Sequence, residues 1–589
     1  MSTRPPGDEA PAFHPGRLLG GVGLFLLGLG MRLWWLSITQ LTFEDAFITF
    51  RYAAQLAGGA GFVYNPGEYV SGTTTPLLTL LLAAWIRLAG SQDIILAARL
   101  IGLAAYAVTF AGTLLALRAA GVGTAQQLTA VGLLALTPRL WNMDTGGMET
   151  PLVLAGMAAA WYALLRGKEI ASGVLLGLLL WVRLDTAVWV LVLAAAAARI
   201  DLKKGLRLAL SAGVVILPWV IFAWGYFGSP IPHTIYAKWV NYAMHDANPL
   251  WQPLPNLLGY LFPFPFPDEF AGLARLFTGL ALLAAAWQAW RWRARPLLAV
   301  LPVYALLETA RLLASRATFF NRYYVPLSWA VWILVGAAAG MVWQAVRRPG
   351  GPPRLVQAGL YASAFTGLVC LTIAGRLANL GNWLPVLLWG ILFILALWLA
   401  PRDPGRGLSL ALLVVLGGVI AVPAFSGTLQ QTFDSASAQR FRNEGSLKAI
   451  GMWLNQNTAP GSSVLLEPLG YVGYYSQRVM RDEVGLVAPQ VTELKRQGQL
   501  DVFDYLSILK PDYVVQHCDD ALRWAQRDGG ENEFTAGYGL AMEANPLSFD
   551  PRDPHLHPIY QGLPRDACYQ VWQRRAVQPR LPTAATPGS

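Results

Sequence analysis

Long apolar runs dominate the chain, separated by short polar breaks. Residues 207–227, 324–346, 380–400 and 407–425 each approach the ~20 residues needed to cross ~30 Å of hydrocarbon. Lipid offers no hydrogen-bond partners, so such runs must satisfy their backbone internally and are predicted to be helices. The period-two alternation of a membrane β-barrel is not seen in them. Taken along the whole chain, the pattern predicts about 13 transmembrane helices between residues 18 and 425. The first, 18–40, is too long and too aromatic for a cleaved signal peptide. The run 76–90 is only about 15 residues long and predicts a helix lying at the outer surface.

After residue 426 the pattern changes and charged residues become frequent. Residues 440–456 carry helical periodicity, 463–467 and 512–516 read as buried strands, and helical pieces near 489–509 lie between them. This predicts a soluble α/β domain over 426–572. The stretch 573–589, rich in Pro, Ala and Thr, predicts a disordered tail. The fold class expected is therefore a polytopic α-helical membrane protein with a C-terminal soluble α/β domain.

Composition supports the membrane assignment. Hydrophobic residues make up 55% of the 589 and charged residues 13%, against about 25% charged in ordinary soluble domains. The net charge of +10 would suggest nucleic acid in a soluble protein, but here the basic residues mark topology. Arg166/Lys168, Arg199/Lys203/Lys204/Arg207, Arg291/Arg293/Arg295, Arg347/Arg348/Arg354 and Arg402/Arg406 flank apolar runs and predict cytoplasmic ends. Helices between these clusters then pair: 170–185 with 186–199, 207–227 with 271–290, 296–314 with 324–346, and 355–376 with 380–400. This register puts residues 1–17 inside a cytoplasmic membrane and leaves 41–92, 139–149, 228–270 and 426–589 outside, where the chemistry is expected. Cys518 and Cys568 fall in the outer domain, as a disulfide or as free thiols; spacing alone does not choose. No Cys/His metal spacing, Walker loop or nucleotide-binding glycine pattern occurs.

The most informative polar segment follows the first helix: Phe43-Glu44-Asp45-Ala46-Phe47-Ile48-Thr49-Phe50-Arg51-Tyr52-Ala53. Two readings of Glu44 and Asp45 stand. One is helix capping, since acids are favoured at a helix start. The other is a general base at the membrane boundary, where partial desolvation tunes a carboxyl.

Further segments continue the pattern: Asn65-Pro66-Gly67-Glu68; the Gly/Thr-rich turn Ser71-Gly72-Thr73-Thr74-Thr75-Pro76; Gly146-Gly147-Met148-Glu149-Thr150-Pro151; Pro232-His233-Thr234-Ile235-Tyr236-Ala237-Lys238; and Asn321-Arg322-Tyr323-Tyr324-Val325-Pro326. In this order and at these topological positions they resemble the outer loops of GT-C membrane glycosyltransferases, most closely the terminal arabinofuranosyltransferases of mycobacterial cell-wall synthesis and their bacterial relatives. Gly470-Tyr471-Val472-Gly473-Tyr474-Tyr475-Ser476 and Asp482 in the tail also recur in such relatives. Glu44 stands where relatives usually carry Asp, and His233 where they usually carry Asn.

The resemblance implies a GT-C-like fold and an inverting transfer of a sugar, arabinofuranose in the nearest relatives. The sugar passes from a polyprenyl-phosphate donor to a cell-envelope glycan or lipid acceptor on the outer face. It implies Asp45 and Glu44 as catalytic carboxylates, Asp45 favoured because relatives keep Asp there. Lys238, Arg322 and Arg51 become candidates for the donor phosphate, and Glu149, His233, Tyr236 and Tyr323 for substrate contacts. No cofactor is assigned; carboxylates 44, 45 and 149 leave a divalent cation open, since some members of the superfamily use a metal and others do not. Donor, acceptor and membrane lipids are the expected partners, and nucleic acid is not. Arg183 and Asp185 read as a local ion pair. The competing class is a transporter or flippase of lipid-linked glycans, for which Glu308 and Arg311 inside an apolar run are the relevant signal.

Overall fold

Residues 15–91, 93–244, 271–315, 320–347, 429, 432–530, 532–545 and 567–575 are described by the computed structural model. The predicted helices 355–376, 380–400 and 407–425 lie outside these residues, as do 245–270 of the third outer loop and the tail from 576.

The apolar runs form helices α1 (Pro15–Thr39), α2 (Ala46–Gly58), α3 (Pro76–Ala89), α4 (Ile94–Ala119), α5 (Thr124–Leu136), α6 (Pro138–Thr145) and α7 (Thr150–Leu165). They continue with α8 (Glu169–Val182), α9 (Ala187–Ile200), α10 (Leu202–Phe227), α11 (His233–Trp239), α12 (Ala271–Trp292), α13 (Pro296–Ala314) and α14 (Val325–Arg347). Among the described residues, four helices are long and apolar enough to cross a membrane: Leu19–Thr39, Ile94–Ala119, Leu202–Phe227 and Pro296–Ala314. The pair α6–α7, bent by 107°, makes a fifth if it is one broken span. Other predicted spans are shorter apolar helices, among them Thr124–Leu136 and Glu169–Val182.

Local chemistry sets several boundaries. The Asp93 carboxylate caps α4 by accepting from Leu96 N–H, and Asp201 caps α10 by accepting from Lys203 N–H. Gly59 and Gly228 end α2 and α10 in the left-handed conformation, at φ 89° and 77°. Helices α8 and α10 meet closely because Gly173 has no Cβ; one there would lie 1.9 Å from Ser211 Oγ. Arg32, in the middle of α1, is buried and paired with Asp144 of α6 at 2.7 Å. An intramembrane charge demands such a partner. The predicted outer loop 139–149 is thus largely helix: Pro138 starts α6, and Trp141, Asn142 and Asp144 turn inward. Trp161, Trp189 and Trp329 pack edge to face at the centre of the helical core.

The soluble domain begins with a helical stretch over 432–442, a π-helical turn Asn443–Leu447 and α15 (Lys448–Asn457). It continues β1 (Ser463–Leu466), α16 (Leu469–Ser476), β2 (Val479–Asp482), α17 (Pro489–Arg496), α18 (Val502–Leu509), β3 (Tyr513–His517), α19 (Cys518–Gln526), α20 (Glu533–Gly537), β4 (Tyr538–Ala544) and β5 (Tyr569–Arg574). The strand order is β2-β1-β3-β5-β4. β1 pairs in parallel with both β2 and β3, while β5 runs antiparallel to β3 and β4. Strand β5 includes Gln573 and Arg574, so order extends past 572 into the segment predicted as a tail. Cys518, at the start of α19 just past β3, and Cys568, just before β5, are joined in a disulfide with Cα atoms 5.4 Å apart.

The two halves dock through the loop after α1. Arg51, fully buried, donates to the carbonyls of Tyr64 (2.9 Å), Gly473 (2.7 Å) and Arg478 (2.6 Å). Asn65 exchanges hydrogen bonds with the Met480 backbone, and Glu68 pairs with Arg481.

Candidate active site

The chain leaves α1 through Gln40, which has a positive φ of 46°, and Phe43 N–H is held by the Gly146 carbonyl at 3.0 Å. The acidic pair therefore sits against the α6–α7 bend. Asp45 occupies the N-cap position of α2 but makes no side-chain capping bond. The first N–H groups of that helix are satisfied by the carbonyls of Phe43, Glu44 and Asp45 instead. This frees both carboxyls from the capping role. The Asp45 carboxylate pairs with Arg322, and the Glu44 carboxyl accepts from the Gly470 N–H of the soluble domain.

The two neighbours titrate in opposite directions. Burial pushes Glu44 up to about 8, reinforced by the charges of Asp45 and Glu467. Burial acts on Asp45 in the same sense, but Arg322 and then Lys238 outweigh it and hold Asp45 below the ordinary carboxylate range. The surroundings thus favour the proton on Glu44 and the charge on Asp45. Carboxylates whose surroundings drive them apart in this way are suited to different roles.

Cations gather on one side of the pair. Lys238 Nζ donates to Tyr323 Oη at 3.3 Å, and the Arg183 and Arg322 guanidinium carbons lie 4.7 and 5.3 Å from the Tyr323 ring centre. Burial would raise the Tyr323 phenol, yet Lys238, Arg322 and Arg183 bring it below its ordinary value. Arg183 chelates Asp185 at 3.0 and 2.5 Å and lies 3.6 Å from Glu149. Asp185 in turn is 3.6 Å from Arg311, which pairs with Glu308. The pair read from sequence as local is one link in a chain of charges reaching Glu149.

The remaining candidates fall in different places. His233 Nε2 contacts Gly485 O (3.1 Å) and Thr492 Oγ1 (3.2 Å), tying α11 to the soluble domain. Burial lowers its basicity. Tyr236 is exposed and stacks on Trp239. Arg51 is away from the Lys238–Arg322 group: its donors are directed at Tyr64, Gly473 and Arg478 carbonyls and at Asn65. Through these bonds it joins the first outer loop to the C-terminal domain. Glu44, Asp45 and Glu149 do not converge on one point. Among the described residues, only Cys518, Glu543 and Cys568 bring three potential ligand atoms within 4.8 Å, and those cysteines are disulfide-bonded. Glu467 and Arg442 also act on the acidic pair; the position of Glu467 at the end of the predicted strand 463–467 was the sequence signal available for it.

Residues 434–572 match a family described as Domain of unknown function (DUF8728). No curated protein sequence matches the chain. Among solved structures, the fold is similar to that of ArnT from Cupriavidus metallidurans bound to undecaprenyl phosphate, with a TM-score of 0.51 and 17% identity over 86% of this chain and 95% of that one. The apo state of the same protein gives a TM-score of 0.50 and 17% identity over 87% and 95%. The chain therefore shares the ArnT fold.

Proposed function

We propose that this protein is a GT-C glycosyltransferase that moves a sugar from a polyprenyl-phosphate donor to a hydroxyl of a cell-envelope glycan or lipid, with inversion and on the outer face of the cytoplasmic membrane. Arabinofuranose is the sugar favoured by the sequence resemblance. The observation that carries the reading is the juxtaposition of an ionised Asp45 with Arg322 and Lys238 where the membrane helices meet the soluble domain. The likeness to ArnT, a glycosyltransferase of the GT-C superfamily whose structure holds undecaprenyl phosphate, supports it. The Cys518–Cys568 disulfide supports an oxidising compartment for the soluble domain.

In this mechanism Asp45 takes the proton from the acceptor hydroxyl as its oxygen attacks the anomeric carbon. The bond from that carbon to the phosphate oxygen breaks, and its electron pair leaves with the polyprenyl phosphate. Arg322 and Lys238 stabilise the charge on the departing phosphate. Arg322 thus exchanges its ion pair with Asp45 for one with the donor, and Asp45 is released as base when the donor is bound. Protonated Glu44 adds no second negative charge beside the base. Glu149 and Arg183 border the same space and position the sugar. No step is routed through a metal ion. The transporter reading loses its main support, because Glu308 and Arg311 pair with each other and join the network around Asp185.

The test is transfer by the full-length protein in detergent, from polyprenyl-phosphate arabinofuranose and related donors to a panel of glycans. Asp45→Asn should lower the rate by about 10²–10⁴-fold, the usual contribution of a positioned base, while Glu44→Gln keeps most of it. Equal rates in wild type and Asp45→Asn, at matched folding, would remove the base assignment.

A further inference from the structure

The parallel part of the soluble sheet ends beside the acidic pair. Leu466 of β1 is in register with Asp482 of β2 and with Val515 of β3. The next residue of each strand is Glu467, Glu483 and Gln516, so these three stand side by side at adjacent carboxyl ends. Glu483 N–H donates to Leu466 O at 2.9 Å, and the Gln516 carboxamide donates to the Glu483 carboxyl. In open α/β sheets, ligands occupy the crevice outside the carboxyl ends of the strands.

Here that crevice faces the base. Gly470, three residues beyond Glu467, is the residue whose N–H holds Glu44. From the membrane half, the π-helical turn Val240–Met244 packs against α17, which follows β2. Its Asn241 accepts from Lys495 of α17, and the charges of Glu467 and Asp45 both act on Tyr242. Glu467 is exposed, yet burial raises its carboxyl above the ordinary value. Half-buried Glu483 is pushed up to about 8 by burial and by Glu467.

The two sides of Asp45 differ in chemistry. Toward the membrane helices stand Arg322, Lys238 and Arg183, which suit a phosphate. Toward the sheet the acidic charges of Glu467, Glu483, Asp482 and Asp520 outnumber the cations Lys495 and Arg442, which disfavours a phosphate, while the carboxyls, the carboxamides and the Tyr242 phenol pair with sugar hydroxyls; a protonated carboxyl both donates and accepts.

We propose that Glu467, Glu483 and Gln516, with Asn241 and Tyr242 opposite, form the acceptor subsite, and that it takes an uncharged glycan rather than a phosphorylated one. The proposal rests on the transferase reading above. Donor and acceptor then approach Asp45 from opposite sides, the first from the membrane and the second along the sheet edge.

The experiment uses full-length Asp45→Asn protein in detergent, so that no turnover consumes ligand. Octyl glycosides of arabinofuranose, mannose and galactose, and the 6-phosphate of the mannoside, are titrated with and without Glu467→Gln, Glu467→Ala and Gln516→Ala. Undecaprenyl phosphate is titrated alongside, and thermal melting checks folding. At least one neutral glycoside should bind, and Glu467→Ala should weaken it by about tenfold or more, with Glu467→Gln intermediate. The Kd for undecaprenyl phosphate should stay within about twofold, and the phosphorylated mannoside should bind more weakly than the neutral one. Neutral binding indifferent to both Glu467 and Gln516, no glycoside binding at all, or preference for the phosphorylated mannoside would overturn the subsite. Failure of the transferase reading would be seen separately, as absence of undecaprenyl phosphate binding together with absence of transfer by the wild type.

Discussion

Two adjacent carboxyls acquire different protonation because they face different neighbours. Asp45 meets Arg322 and Lys238, whereas Glu44 is buried beside Asp45 and Glu467 and is compensated less, by the Gly470 N–H and the Arg442 charge. The pair titrates as a unit, and the sign of each limb follows. Asp45 keeps its charge as pH falls until well into the acid range, so the acid limb of kcat/KM should lie below the ordinary carboxylate range. As pH rises through about 8, Glu44 loses its proton and sets a second negative charge beside the base. Wild type should therefore change slope near that pH, and Glu44→Gln should abolish that limb while leaving the acid limb in place. A pH–rate profile measured on both proteins checks this, and an alkaline limb persisting in Glu44→Gln would assign it to another group. The neighbour facts that decide these shifts are not readable from an Asp or Glu letter. From the sequence, capping and catalysis were both open for this pair, and only the missing cap bond and the Arg322 partner separate them.

Elements were legible where one period ran undisturbed. The long helices α10 and α13 stand where the apolar runs 207–227 and 296–314 predicted them, because burial in lipid is a sum over a contiguous segment. Strands β1 and β3 were marked by Val- and Leu-rich runs between turns. Strand β4, with alternating half-burial, and β5, behind a long intervening segment, gave no comparable signal, and their antiparallel pairing is a property of the sheet rather than of either segment. Helix α6 was read as loop because its polar residues find partners on α1, as Asp144 does with Arg32. The Cys518–Cys568 disulfide ties the parallel part of the sheet to its antiparallel extension through a 50-residue separation. Replacing both cysteines by serine should lower the stability of the soluble domain by about 2–4 kcal/mol, measured by denaturant unfolding. An unchanged midpoint would mean that packing of β3 against β5 suffices without it.

At the scale of the whole molecule, the C-terminal domain contributes contacts to the candidate site, through the Gly470 N–H on Glu44. Arg51 joins the first outer loop to residues 473 and 478, more than 400 positions away in sequence. Truncating it leaves three buried carbonyls without a charged donor. Arg51→Ala should accordingly destabilise the protein by about 3 kcal/mol or more and lower its melting temperature. Lys238→Ala should instead weaken undecaprenyl phosphate binding with little change in melting. The reverse pattern would make Arg51 the phosphate ligand and Lys238 the brace. Both residues are basic and near helix ends, so charge and position alone placed them in one class; their surroundings separate them.

By itself the sequence determined the apolar helices, the change to a soluble α/β tail and the concentration of polar chemistry in a few loops. These follow from hydrophobicity and periodicity, which are local and additive along the chain. Tertiary structure alone decided which charges meet. Asp45 pairs with a residue 277 positions distant, Glu44 with the backbone of the soluble domain, and three strand ends come level only once the sheet is in register. The reason is that an ionisable group takes its character from distance and desolvation, and both are set by how the elements pack.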